Sequence, residues 1–139
     1  MKSLAAFLTL VAVGAVVATA AFGSTPRHSS ILIRHQVSHC HAWSLNKAPL
    51  AAHINAKLAV GGSITFTNDD VMSHRLIKTS GHAVAFTGSP AMAHMASIVK
   101  VTFRHAGTYR FTTKAGEDYM TGVKTTGEDN ILTLTVTVR

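Results

Sequence analysis

The feature that most constrains this chain is a periodicity of two. Leu132, Leu134, Val136 and Val138 alternate with Thr133, Thr135 and Thr137. The same beat runs through Ile64-Thr65-Phe66-Thr67, Val99-Lys100-Val101-Thr102-Phe103-Arg104 and Tyr109-Arg110-Phe111-Thr112. Successive side chains of a strand point to opposite faces, so each run offers one face to a core and one to water. Turn-forming residues separate the runs: Gly61-Gly62, Asn68-Asp69-Asp70, Gly81, Gly88 with Pro90, Ala106-Gly107, Gly116 and Gly127. Ile31–Val37 and Leu76–Lys78 read as further strands. Short strands at regular spacing predict an all-β sandwich or barrel. No amphipathic helix is evident, although Ala91–Ile98 has room for one helical turn. There is no internal repeat and no second domain.

Composition narrows the reading. A chain of 139 residues has the capacity of one domain. Its charged fraction of 14% is far below the roughly 25% of an ordinary soluble domain, which argues against a coiled coil or a long solvated helix. Cys40 is the one cysteine, so no intrachain disulfide can form. Residues 1–20 read as a secretory signal: Lys2, an apolar run from Leu4 to Val17, and Ala18-Thr19-Ala20 as the small-residue cleavage pattern. The apolar stretch to Phe22 also approaches the ~20 residues of a membrane anchor. Either way the rest is exported, to a periplasm, the medium or the cell surface. Residues 21–30 read as a flexible lead-in, and residues 31–139 as the domain. Lys and Arg total 13 against 6 acids, a net charge of +7. The cations are scattered singly, which points to solubility rather than nucleic-acid binding.

Three stretches, in order, resemble one family. Leu58-Ala-Val-Gly-Gly-Ser-Ile-Thr-Phe-Thr-Asn-Asp-Asp70, followed by Val71-Met-Ser-His74, has a strand, a Gly turn, a strand, an Asn-x-Asp and a histidine. Val101-Thr-Phe-Arg-His-Ala-Gly-Thr-Tyr-Arg-Phe111 has a strand, a Gly-x-Tyr turn and a strand. Tyr119-Met120-Thr-Gly122 has a Met-x-Gly. Together they resemble the cupredoxins, the small copper proteins of the plastocyanin and azurin type, over roughly residues 54–138. The resemblance implies an antiparallel Greek-key β-sandwich, a bound copper ion, His74 as the first ligand and Met120 as the axial one. It also implies a cysteine near Thr113 and a histidine near Gly116 or Glu117, and both are missing.

A thiolate must therefore come from elsewhere, and His39-Cys40-His41 before Trp43 is the candidate. Thiolate, imidazole and thioether form a soft donor set suited to Cu(I), Cu(II) or zinc. In a strand Cys40 and the flanking histidines face opposite ways, so the expected metal set is Cys40 with one neighbour, His41, joined by His74 and Met120. Met72, Met92, His94 and Met95 form a looser group of secondary candidates, each more often plain packing. His28, His35, His53, His82 and His105 are expected at the surface, and Trp43 as a core or site-covering aromatic whose indole N–H needs an acceptor if buried. The six acids form adjacent pairs in turns, Asp69-Asp70 among them, and are expected to be solvated. No hydrolase, metalloprotease or phosphate-loop motif is present, so the chain is not expected to be an enzyme. The leading expectation is an exported copper protein that transfers electrons or carries copper, with a redox or copper-transfer protein as partner. The rival is a metal-free interaction module, since a sandwich can outlive its metal. An oxidoreductase with an open copper site is a weaker third.

Overall fold

A computed structural model describes residues 24–35, 41–115 and 132–139. Ten strands follow in order: β1 His28–His35, β2 His41–Leu45, β3 His53–Leu58, β4 Ser63–Asn68, β5 His74–Ser80, β6 Ala85–Thr87, β7 Ala91–Met92, β8 Ile98–Thr102, β9 Gly107–Ala115 and β10 Thr133–Val138. They form two five-stranded sheets. The first has the order β2-β1-β4-β8-β6 and the second β3-β10-β9-β5-β7.

The period-two runs do what alternation requires. Leu134, Val136 and Val138 are buried, while the threonines between them are exposed or half-buried. Ile64 and Phe66 from the first sheet meet Phe111 and Leu134 from the second in a continuous apolar core. The Phe66 and Phe111 rings lie 6.1 Å apart, and Phe103 packs edge-on to Tyr109 at 5.0 Å. Trp43 is fully buried, and its indole N–H donates to the Ala52 carbonyl at 3.1 Å.

Several details differ from the sequence reading. Most neighbours are antiparallel, but each sheet also holds one parallel pair, β1 with β4 and β3 with β10. The chain reaches β4 only after crossing to the other sheet for β3, so it returns beside β1 running the same way. Residues 28–30, read as lead-in, are the first of β1 and are in register with Ser63–Thr65. Ala91–Ile98 holds no helical turn: it is the two-residue strand β7 and a tight turn in which Ala96 has φ +66°. That conformation cannot continue a right-handed helix. Residues 1–20, read as the signal, lie outside the described residues, as do Cys40 and Met120.

The registers gather chain ends at one pole of the sandwich. β1 ends there at His35 and β2 starts at His41. β4 ends there at Asn68, β5 starts at His74, β9 ends at Ala115 and β10 starts at Thr133. At the opposite pole Gly81 turns the chain with φ +98°, and a Cβ there would sit 2.7 Å from Tyr109 Cδ1 and 2.8 Å from the Thr108 carbonyl. Gly61 also has positive φ, +78°, but a Cβ there meets nothing within 4 Å. Gly61→Ala is expected to cost about 1 kcal/mol, the left-handed penalty alone, and Gly81→Ala about 3 kcal/mol, because steric overlap adds to it. Urea unfolding of the two variants checks this ordering; equal losses would contradict it.

Candidate metal centre

Asn68, the last residue of β4, organises the pole where the chain ends gather. Its side-chain amide is buried and spans several segments. Nδ2 donates to the carbonyls of Met72 at 2.7 Å, Met92 at 3.3 Å and His94 at 3.3 Å. Oδ1 accepts the Asp70 backbone N–H at 3.0 Å. Asp70 repeats the device, its Oδ1 accepting the Met72 N–H at 3.1 Å. Asn and Asp favour turns because they can bond the backbone two residues on. Here two such turns in succession point the other Asp70 oxygen inward.

That oxygen, Oδ2, lies between two imidazoles. His74 Nε2 is 3.1 Å away and donates to it, and His41 Nε2 is 2.9 Å away. The two rings stand edge to face, with centroids 4.7 Å apart and planes at 82°. All three side chains are at most 1% exposed. One ligand atom from each lies within 4.8 Å of the others. His41 starts a strand of the first sheet and His74 a strand of the second, so Asp70 joins the two sheets through a buried polar bridge.

The carboxyl of Asp70 feels opposing influences. Burial pushes it up, but the hydrogen bond from His74, the N–H of Met72 and the positive fields of His41 and His74 together hold it below the usual carboxylate range. The donor set fits a borderline metal such as Cu(II): two imidazole nitrogens and one carboxylate oxygen, in a shielded site whose carboxylate offsets part of the metal charge. Binding through His74 Nε2 would require that nitrogen to give up its proton, so metal would compete with its hydrogen bond to Asp70.

The structure unites two of the four residues expected from sequence, His41 and His74. Cys40, Met120 and His39 lie outside the described residues. Asp70 was expected to be solvated and is instead buried. Its neighbour Asp69 behaves as expected, pairing with Arg34 at 2.8 Å at the surface. The signal for Asp70 was its four-residue spacing from His74 across an Asx turn. Thr113, at the family's cysteine position, is fully buried on the inner face of β9, and its hydroxyl has no hydrogen-bond partner among the described residues. It supplies no thiolate. Of the secondary candidates, Met92 is buried, Met72 is half-buried, and His94 and Met95 are exposed. His28, His53, His82 and His105 are at the surface, as expected.

Because the folded-state pKa of Asp70 is depressed, its contribution to stability is complete above the unfolded carboxylate value of about 4. It is lost as pH falls through the lower folded value. Asp70→Asn is therefore expected to be less stable than the parent at pH 6 and to lose less further stability on going to acid. Denaturant midpoints measured across that range check it; parallel pH profiles would contradict it.

No protein-family model matches the chain, and no curated protein does either. Among solved structures it is similar to a purple cupredoxin from Nitrosopumilus maritimus, at 18% identity over 79% of this chain and 98% of that one, with TM-score 0.44. A Cu(I) form of an amicyanin variant aligns at 15% identity over 84% of this chain and 97% of that one, with TM-score 0.41. A chain of a heme-copper terminal oxidase dimer aligns at 12% identity over 81% of this chain and 65% of that one, with TM-score 0.44. The strand order of the described residues shows a β-sandwich of two mixed five-stranded sheets.

Proposed function

We propose that this chain is an exported copper-binding protein whose metal is held by His41, His74 and the carboxylate of Asp70. The observation that carries the reading is the convergence of these three donors, from both sheets and the turn after β4, in one buried cluster. Two imidazole nitrogens and a carboxylate oxygen make one donor set that a borderline metal ion can take together. Cys40 immediately precedes His41 in sequence, and Met120 falls in the segment joining β9 to Leu132, so both are proposed as additional soft donors. Residues 1–20 are the export signal in this reading.

Burial of the donors, and the anchoring of Asp70 through Asn68, favour electron transfer over carriage. A site that rearranges little between oxidation states suits a redox centre, whereas a carrier needs an exposed, exchangeable one. The partner is then a redox protein, and the chain itself is not an enzyme. One observation favours a metal-free module instead: Asp70 Oδ2 already lies 2.9 Å from His41 Nε2 and 3.1 Å from His74 Nε2, so the carboxylate has partners without an ion.

Copper titration of the purified protein separates the two readings. Stoichiometric binding is expected for the parent, with affinity lowered at least about tenfold in His41→Ala and His74→Ala, the scale on which metal sites respond to lost partners. A parent that binds no more copper than either variant would overturn the copper reading and leave the metal-free module.

A further inference from the structure

Met92 is a buried side chain that the fold sets directly beside the cluster. β7 pairs antiparallel with β5, with Met92 opposite His74 and Ala91 opposite Arg75. Residues opposite each other in an antiparallel pair project to the same face, with Cβ atoms about 4.5–5.5 Å apart. The burial pattern agrees: Met92 and His74 are both fully buried, while Ala91 and Arg75 are exposed. On the other side of His74 the register places Ala115, also buried, whose methyl group fills little space. Three inward residues thus lie in a row across β7, β5 and β9, and Met92 is the one with a long, flexible, sulfur-bearing side chain.

The position of Met92 is fixed by the same residue that fixes Asp70. Asn68 donates to the Met92 carbonyl and accepts the Asp70 N–H through the two ends of one amide. β7 has only two residues, and ladder bonds alone would hold it weakly. The Leu76 N–H also donates to the Pro90 carbonyl at 2.8 Å, pinning the strand from its other side. A thioether held beside a ligand histidine is a soft donor that prefers Cu(I) to Cu(II).

Building on the copper reading above, we propose that Met92 is a thioether ligand of the copper held by His41, Asp70 and His74, and that it stabilises the reduced ion. This donor is distinct from Met120, and it comes from a strand of the sandwich rather than from the segment after β9.

The test is X-ray absorption of the Cu(I)-loaded protein together with its reduction potential. Cys40→Ser/Met120→Leu serves as the background, so that neither proposed donor from those segments contributes. A sulfur shell is expected to persist in this background, to vanish when Met92→Leu is added, and to remain when Met72→Leu or Met95→Leu is added instead. Leu and Met have similar volumes, so the core is retained, and unchanged circular dichroism confirms it. Cu(I) affinity is expected to fall about tenfold in Met92→Leu with Cu(II) affinity little changed, which for one electron lowers the potential by about 59 mV. A background without a sulfur shell, a shell that survives Met92→Leu, or an unchanged potential overturns the role of Met92 while leaving the copper reading intact. A parent that binds no copper fails the copper reading itself, and Met92 with it.

Discussion

A single carboxylate oxygen between two imidazoles is the interaction on which this sandwich turns. His41 belongs to one sheet and His74 to the other, and Asp70 Oδ2 touches both. Elsewhere the sheets meet through side chains such as Phe66, Phe111 and Leu134, which exclude water and are indifferent to small shifts. The polar bridge is not indifferent. The His74 hydrogen bond to Asp70 sets distance and angle on one side, and a buried charge left without its partner costs several kcal/mol. The bridge therefore fixes how the sheets sit at one pole, while the apolar core supplies most of the driving force.

That bridge is supported by a turn built to hold it. Asn68 gathers the carbonyls of Met72, Met92 and His94 around one nitrogen. The turn after β4, the strand β7 and the loop before β8 are thus tied to one side chain. A binding site needs its first contacts held by a second layer, and here that layer is one amide at the end of a central strand. The Asp70 carboxylate is thereby held in one orientation.

The fold was largely legible in the sequence, because alternation is a direct image of a strand with one buried face. The runs containing Val138, Phe111 and Phe66 each became a strand with the expected face inward. The parallel pairs were not legible, since periodicity reports faces and not neighbours. His74 was found through its place after Asn68-Asp69-Asp70, and His41 through its place beside Cys40. Asp70 was missed because adjacent carboxylates in a turn are ordinarily both in water. Asp69 follows that rule and pairs with Arg34, while the next residue points the other way into the core. The difference arises from the Asx turn made by Asn68, which depends on where β4 ends.

The central claim is that these three side chains hold a copper ion. Anomalous diffraction at the copper edge from crystals grown with copper tests it most directly. The account predicts one strong peak at the pole of the sandwich, about 2 Å from a ring nitrogen of both His41 and His74, with a carboxylate oxygen of Asp70 facing it. A peak confined to surface histidines such as His82 or His105, with the Asp70 bridge intact, would contradict it.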